Sequence, residues 1–200
     1  MKKKILIAMM ITGAVMLTGC TSEKKADTGT TAETEDGTAD VKNAESTSSG
    51  KSAANGLFGT FNTITHYGSE VTQDIFTEAD LTMVNIWGTF CSPCIREMPD
   101  LGELADEYAD KGVQIVGIVA DVTAAWNTDV ELIIQETGAD YTHLMVSQSL
   151  WNSYLSNVQA VPTTVFVDSE GKQVGEVYTG SRDKESWAAI IEEMLGLLEE

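Results

Sequence analysis

Cysteine and histidine are scarce in this 200-residue chain, which has three cysteines and two histidines. A structural zinc site usually takes four ligands, commonly as two pairs of Cys or His residues. The chain offers one close cysteine pair, and His66 and His143 stand apart from it and from each other. The sequence therefore predicts no metal site. Three cysteines also allow one intramolecular disulfide at most, so the fold has to be stabilised mainly by its hydrophobic core.

Positive charge is scarce as well. Asp and Glu, with 31 residues, outnumber Lys and Arg, with 12, and the formal net charge is −19 at pH 7. Binding to nucleic acid depends on Lys and Arg that neutralise phosphates, and attraction to anionic lipid depends on the same residues. The composition therefore argues against a nucleic-acid partner and against electrostatic binding to a membrane surface.

The N-terminal apolar run is too short to cross a bilayer. It covers the 13 residues Ile5–Leu17, whereas a membrane span takes about 20 residues. Three lysines precede the run and small residues follow it, so residues 1–19 are predicted to be a secretory signal. The ending Leu17-Thr18-Gly19-Cys20 resembles a bacterial lipobox, which implies that Cys20 carries lipid and becomes the mature N-terminus. Ordinary secretion and an uncleaved anchor are the alternatives.

Residues 20–56 are predicted to be a flexible acidic tether that begins at the lipidated cysteine. They are rich in Thr, Ser, Gly, Glu, Asp, Ala and Lys, contain no aromatic residue, and have Val41 as their one branched aliphatic residue. Such a composition cannot bury enough apolar surface to offset the entropy lost on ordering. As a coil, the segment would span about 30–35 Å. Without the signal, the chain loses three positive charges and reaches a net charge of about −22.

Residues 57–200 are predicted to form one folded domain, because strand-like and helix-like patterns alternate there. This alternation indicates an α/β sandwich with parallel pairing, finished by an antiparallel hairpin. Pro99 lies inside the first predicted helix and is expected to kink it. The predicted strands are 61–65 and 70–72 (a hairpin), 83–87, 113–120, 141–146, 164–167 and 172–178, and the predicted helices are 94–111, 130–137, 150–158 and 183–198.

The residues that carry chemistry follow the predicted buried strand Met83–Trp87. Cys91 and Cys94 are separated by two residues at the start of an amphipathic helix. The helix N-terminus favours a negative sulfur there, and the thiolate is the reactive form of cysteine. We expect Cys91 to attack a substrate disulfide and Cys94, one turn into the helix, to resolve the mixed disulfide. Pro93 stiffens the gap and needs no N–H partner at the helix start. A purely structural disulfide is the alternative.

The stretch Asn85–Pro99, with the sequence NIWGTFCSPCIREMP, resembles the active-site signature of the TlpA/ResA/DsbE-type thioredoxin-like family. These proteins are membrane-tethered extracytoplasmic thiol–disulfide oxidoreductases. The resemblance extends from Leu57 to the C-terminus and includes the insertion around Thr123–Leu155. It implies an α/β thioredoxin-like three-layer sandwich with an N-terminal β-hairpin and a central insertion. We expect a monomer with no cofactor beyond the redox-active disulfide Cys91–Cys94.

The same resemblance implies a substrate-binding loop opposite the dithiol. Val161-Pro162-Thr163 matches the cis-proline loop of the family, in which the backbone of Val161 would pair with a bound substrate segment. A cis bond is credible because X–Pro bonds have a low cis penalty, and a trans proline in a surface turn is the alternative. Phe90 replaces the Trp that is usual before the first cysteine. It keeps the bulk but loses the indole N–H. We expect Phe90 and Pro93 to contact substrate together with Val161 and Pro162.

Glu97 matches an acidic residue that lies near the active site in this family and tunes its thiols. A carboxylate there would raise a thiol pKa and could exchange a proton with Cys94. The alternative is an exposed acid, which is favoured near a helix N-terminus. Asn85 stands where cytoplasmic thioredoxins carry a buried Asp, so that proton acceptor is missing. Trp87 is expected to belong to the core, and both histidines are expected to be structural.

The sequence and the resemblance together predict a thiol–disulfide oxidoreductase that is lipid-anchored outside the bacterial cytoplasmic membrane and works mainly as a reductant. The resemblance implies a membrane electron donor of the CcdA/DsbD type. It also implies exported disulfide-containing proteins as substrates, in cytochrome c maturation or methionine sulfoxide reductase recycling. The residues alone do not determine the direction. A disulfide oxidase or isomerase, a peroxiredoxin-like peroxidase (disfavoured because no Thr-x-x-Cys is present), and a non-catalytic lipoprotein that only binds a partner are the alternatives.

Overall fold

The computed structural model describes residues 53–199, so the predicted signal, Cys20 and most of the predicted tether lie outside the described residues. The described part starts before residue 57, the predicted first residue of the folded domain. Ala53 is buried at the start of a 3₁₀ turn, Ala53–Asn55. Gly56 lies so close to Gly171 that a Cβ would be 2.3 Å from the Gly171 carbonyl oxygen. These small residues pack through close backbone approach rather than through apolar side chains.

Strands and helices alternate along the described residues as predicted, and the hairpin near the N-terminus of the domain is confirmed. The strands are β1 (Asn62–Ile64), β2 (Glu70–Thr72), β3 (Leu81–Trp87), β4 (Val113–Val119), β5 (Thr142–Met145), β6 (Thr163–Asp168) and β7 (Gln173–Thr179). The helices are α1 (Ser92–Tyr108), α2 (Thr128–Thr137), α3 (Gln148–Ser153) and α4 (Lys184–Leu198).

Five strands form one mixed sheet in the order β5-β4-β3-β6-β7, and β1 pairs with β2 in a separate antiparallel ribbon. The pairs β3–β4 and β4–β5 are parallel, whereas β3–β6 and β6–β7 are antiparallel. Ile86 is in register with Thr163. The end of β3 and the start of β6 therefore lie side by side, and this brings the loop after β3 close to the residues that precede Thr163.

Two hydrophobic cores, one on each face of the sheet, make the three-layer sandwich that was predicted. Alternate residues of β3 point to opposite faces. Met83 and Trp87 pack in the core with α1 and α4, whereas Val84 and Ile86 pack in the core with α3 and the N-terminal segment. Asn85 shares the parity of Met83 and Trp87, so it points into the helix-covered face. Within residues 53–199, every helix is too short or too polar to cross a membrane.

One helix differs in extent from the prediction. The helix predicted over 150–158 ends early, because Tyr154 leaves helical geometry with φ −142° and a separate 3₁₀ turn, Leu155–Asn157, follows. The ring of Tyr154 packs against Phe58 at a centroid distance of 4.5 Å, a tertiary contact that the local apolar spacing could not reveal. Helix α1 continues across Pro99 as one helix.

Candidate active site

A disulfide joins Cys91 and Cys94 at the start of α1, where the sequence placed the dithiol. Cys91 is the N-cap residue, and its Sγ accepts a hydrogen bond of 3.2 Å from the backbone N–H of Cys94. Cys91 is 5% exposed and Cys94 is 0% exposed. Cys91 is therefore the more accessible of the two sulfurs. Pro93 lies in the first turn of α1, where a missing N–H leaves no intrahelical bond unmade.

The loop between β3 and α1 is held by a carboxylate that follows β4. Asp121 accepts hydrogen bonds from the backbone N–H of Thr89 at 3.1 and 3.2 Å and from its hydroxyl at 2.5 Å. The N–H of Cys91 donates to the carbonyl of Gly88 at 3.0 Å. These bonds fix the backbone that presents Cys91. Asp121 could not be identified from local sequence pattern, because it lies 32 residues away from Thr89.

Glu97 is buried one turn beyond Cys94, with 2% of its surface exposed, so the alternative of an exposed acid is wrong. Asn85 Nδ2 donates to Oε1 at 3.0 Å. The backbone N–H of Arg182 donates to Oε2 at 3.1 Å, and Trp187 Nε1 donates to the same oxygen at 3.3 Å. The carboxylate therefore receives three N–H groups, one each from β3, from the loop after β7 and from α4.

Burial raises the pKa of the Glu97 carboxyl, and the hydrogen bonds from Arg182, Asn85 and Trp187 lower it by a smaller amount. The guanidinium of Arg182 makes no ion pair with Glu97. It lies over the rings of Tyr178 and Trp187, at 5.1 and 5.0 Å from their centroids. Glu97 is thus a buried acid with a raised pKa, and a carboxyl of this kind is a candidate for proton transfer.

Trp87 and His143 form a buried pair beside the active-site loop, in agreement with their predicted structural roles. Trp87 Nε1 donates to His143 Nδ1 at 3.2 Å, and His143 Nε2 lies 2.9 Å from the carbonyl oxygen of Ala139. Because Nδ1 accepts, Nε2 has to carry the proton, and the imidazole is neutral. Burial lowers the pKa of His143 to about 4. His66 is also buried, and burial lowers its pKa.

Pro162 lies immediately before β6, and the Val161–Pro162 peptide bond is cis, as the resemblance implied. Phe90 is 73% exposed and lines a largely apolar groove of about 370 Å³ together with Val161. The groove is thus lined both by the residue before Cys91 and by the residue before the cis proline. Other lining residues were not predicted as a site: Trp151 and Leu155 belong to the central insertion, and Val158 follows it.

The hydrogen bonds to Glu97 were not predicted, but one residue in the sequence could have indicated them. Asn85 is the one polar residue in the predicted strand Met83–Trp87. A buried side-chain amide needs hydrogen-bond partners. Its Nδ2 also donates to Thr164 Oγ1 at 3.1 Å. Arg182 could not be found in this way because it contributes its backbone N–H.

Among residues 53–199, no three Cys, His, Asp or Glu side chains are grouped to hold a metal ion.

Residues 40–194 match the Redoxin family. The chain is 33% identical to the thiol-disulfide oxidoreductase ResA of Bacillus thuringiensis (strain Al Hakam) over 103 residues, which are 51% of this chain and 56% of that protein. The match thus spans little more than half the length of this relative. A thioredoxin family thiol:disulfide interchange protein from Chlorobium tepidum TLS has a TM-score of 0.58 at 24% identity, covering 68% of this chain and 93% of its own.

A secreted disulfide oxidoreductase from Mycobacterium tuberculosis, homologous to E. coli DsbE, has a TM-score of 0.54 at 19% identity and covers 66% of this chain and 95% of its own. These structural similarities show that the fold is thioredoxin-like, as predicted.

Proposed function

Because the chain belongs to the Redoxin family, we propose that it is a thiol–disulfide oxidoreductase in which Cys91 attacks and Cys94 resolves. The observation that carries the proposal is the asymmetry of the two sulfurs. Cys91 is the helix cap and the more accessible sulfur, whereas Cys94 is fully buried one turn before the buried acid Glu97. A disulfide with a purely structural role needs neither an accessible sulfur nor a buried acid.

In the reducing direction, the Cys91 thiolate attacks one sulfur of a client disulfide, and the other client sulfur leaves as a thiolate that takes a proton. Cys94 then loses its proton to the Glu97 carboxylate and attacks Cys91 Sγ. The bond between Cys91 and the client breaks, and the second client thiolate leaves. Two electrons pass to the client, and the chain ends with the Cys91–Cys94 disulfide.

The client segment would lie in the groove beside Cys91. Phe90, Pro93, Val161 and Pro162 are the proposed binding residues, with the backbone of Val161 pairing with the client strand. Support comes from the groove itself, because Phe90 and Val161 line it together. Its apolar walls suit an apolar side chain next to the client cysteine.

We place the protein on the reducing side of the thioredoxin-fold range. A strong oxidant stabilises its reduced thiolate. Here the helix N-terminus favours a thiolate at Cys91, but full burial and the neighbouring Glu97 disfavour one at Cys94. The expected partners are exported disulfide-containing proteins and a membrane donor of the CcdA/DsbD type. Candidate pathways are cytochrome c maturation and methionine sulfoxide reductase recycling.

The redox potential tests the direction. The fraction of disulfide is measured after equilibration with reduced and oxidised dithiothreitol at pH 7. We expect a value toward the reducing end of the thioredoxin-fold range of about −270 to −120 mV, whereas a value near −120 mV would assign an oxidase. The Cys94→Ala variant should accumulate mixed disulfides on Cys91 in native membranes, and Cys91→Ser should accumulate none. If Cys94→Ala traps no protein, the catalytic proposal fails.

We also propose that the chain is lipid-anchored through Cys20 outside the cytoplasmic membrane. The signal-like start and the lipobox-like ending support this location. Metabolic labelling with radioactive palmitate should mark the wild-type chain, and Cys20→Ala should remain unlabelled and leave the membrane fraction. Equal labelling of both chains would exclude Cys20 as the lipid site while leaving the oxidoreductase proposal untouched.

A further inference from the structure

Asn85 uses only one half of its side-chain amide. The side chain is fully buried, and Nδ2 donates both to Glu97 Oε1 at 3.0 Å and to Thr164 Oγ1 at 3.1 Å. Within the described part of the chain, no donor reaches the buried Asn85 Oδ1. An amide offers two donors and a carbonyl acceptor. Here both donors are engaged and the acceptor is left over.

The partners of Glu97 Oε2 determine which of the two carboxyl oxygens can be protonated. Both groups that bind Oε2, the backbone N–H of Arg182 and the indole N–H of Trp187, are donors only. A proton on Oε2 would point at two groups that are themselves donors and would weaken both hydrogen bonds. It therefore has to bind at Oε1, where the partner is the amide of Asn85.

Asn85 can accept that proton's hydrogen bond only if its amide turns over. A rotation by half a turn about the last side-chain bond exchanges Nδ2 and Oδ1. Oδ1 would then accept from the protonated Glu97. Thr164 fits both orientations, because its hydroxyl can accept from an N–H or donate to a carbonyl oxygen.

We propose that Asn85 is a positioning residue whose amide reverses its orientation when Glu97 gains or loses a proton, with Thr164 as the hydroxyl that serves both orientations. When Cys94 gives its proton to Glu97, the proton binds at Oε1. The new O–H group then donates a hydrogen bond to Asn85 Oδ1. When the proton leaves, Nδ2 returns to the carboxylate. The catalytic meaning of this exchange rests on the proposed function, but the exchange itself does not.

The other titratable and charged groups around Glu97 keep their state through this exchange. The charged group from the loop after β7 is the guanidinium of Arg182, which lies over the rings of Tyr178 and Trp187. Tyr141, just before β5, has a phenol pKa that burial and the charge of Glu97 raise, so it remains neutral. In the oxidised protein, Cys94 and Cys91 are joined and do not titrate. Among these groups, Glu97 alone is therefore expected to change its charge in a pH titration of the oxidised chain.

The test is a nuclear magnetic resonance titration of the oxidised full-length protein. The carboxyl carbon of Glu97 reports its protonation, and the side-chain NH₂ signals of Asn85 report the orientation of the amide. We expect both to move with the same midpoint. Glu103→Gln, which changes an exposed acid on the same helix, is the matched control and should leave both midpoints in place.

Glu97→Gln gives the sharper result. The two donors at the Oε2 position require the glutamine oxygen there, so the glutamine NH₂ has to point at Asn85. Asn85 should then show its low-pH signals at every pH. Thr164→Val should displace the Asn85 signals at both ends of the titration, and Thr164→Ser should restore them.

Two results would overturn the proposal: a Glu97 titration during which the Asn85 signals do not move, or high-pH Asn85 signals in Glu97→Gln. Both are independent of whether the protein exchanges disulfides, which the redox potential and the trapping experiment decide. Failure of the amide reversal and failure of the oxidoreductase proposal are therefore distinguishable.

Discussion

His143 should make the stability of the fold strongly dependent on pH, and this dependence can be worked out from the structure. The neutral imidazole accepts from Trp87 and donates to Ala139, and both bonds are buried. Protonation at Nδ1 would oppose the Trp87 N–H and would place a charge in the core. The perturbation that tests this is His143→Gln, which keeps a polar side chain but cannot titrate.

The sign follows from the direction of the pKa shift. Burial lowers the pKa of His143 from 6.5 to about 4 in the folded chain. Between these values the unfolded chain binds the proton and the folded chain does not, so the free energy of unfolding falls as pH falls through this window. The stabilising contribution is complete above pH 6.5 and is lost by pH 4.

The magnitude follows from the same two values. One pKa unit corresponds to about 1.4 kcal/mol, so the full loss below pH 4 is about 3 kcal/mol. Acidification from pH 7.5 to pH 5 covers most of the window and should remove about 2 kcal/mol. A loss of this size is a large part of the 5–15 kcal/mol that is typical of a domain.

The assay is urea unfolding at pH 7.5 and pH 5, followed by tryptophan fluorescence, since Trp87 and Trp187 are fully buried. At pH 7.5, His143→Gln should be less stable than the wild type, because a buried hydrogen bond and ring packing are lost. At pH 5, the gap should shrink by about 2 kcal/mol. Glu97 is present in both proteins, so its contribution to the pH dependence of the free energy of unfolding cancels in the comparison. The variant His66→Gln measures how much the neighbouring imidazole contributes. If wild type and His143→Gln lose equal stability on acidification, the assignment of a neutral buried His143 is wrong.

Three further predictions concern the site and its support. Trp187→Phe removes one donor from Glu97, so it should cost about 1 kcal/mol in urea unfolding and raise the carboxyl pKa seen by nuclear magnetic resonance; an unchanged pKa would contradict the hydrogen bond. Phe90→Ala should raise the KM for a peptide disulfide severalfold and leave the redox potential unchanged, and an unchanged KM would exclude Phe90 from client binding. Gly102→Ala places a Cβ 2.6 Å from a backbone carbonyl oxygen and should destabilise the fold by about 1–3 kcal/mol, whereas Gly196→Ala, which is exposed in α4 with open space around it, should stabilise it by about 0.5–1 kcal/mol.

Local pattern was enough to predict the elements whose burial is simple. Strand β3 was predicted from a nearly continuous apolar run, and the helix that starts at the dithiol was predicted from apolar residues at helical spacing. Both are confirmed. The helix over 150–158 was wrong in its second half. Trp151 and Leu155 have helical spacing, but they line a groove rather than one continuous buried stripe. Spacing alone does not distinguish these two uses of apolar residues.

The surroundings of Glu97 could not be predicted from local pattern, because its partners are distant in the sequence. Asn85 lies 12 residues before it, whereas Arg182 and Trp187 lie 85 and 90 residues after it. An acid in the first turns of a helix has an ordinary explanation in the helix dipole. Only the resemblance to a family suggested another role for Glu97, and the burial of the carboxyl became evident once the four segments were brought together.

The arrangement around Glu97 is poor as a device for stability, and this supports a role in chemistry. The carboxyl pKa is raised in the folded chain, so the folded state binds the proton more readily and the free energy of unfolding falls as pH rises from the unfolded pKa through the folded one. Above that window the buried anion lowers stability relative to an exposed carboxylate. The hydrogen bonds do not fully compensate, and Asn85 leaves its carbonyl oxygen unpaired among the described residues. A neutral amide at position 97 would satisfy the two fixed donors without the cost of a buried charge. A carboxyl there serves the fold less well than an amide would, which fits its proposed role as the group that takes a proton from the buried Cys94 and returns it.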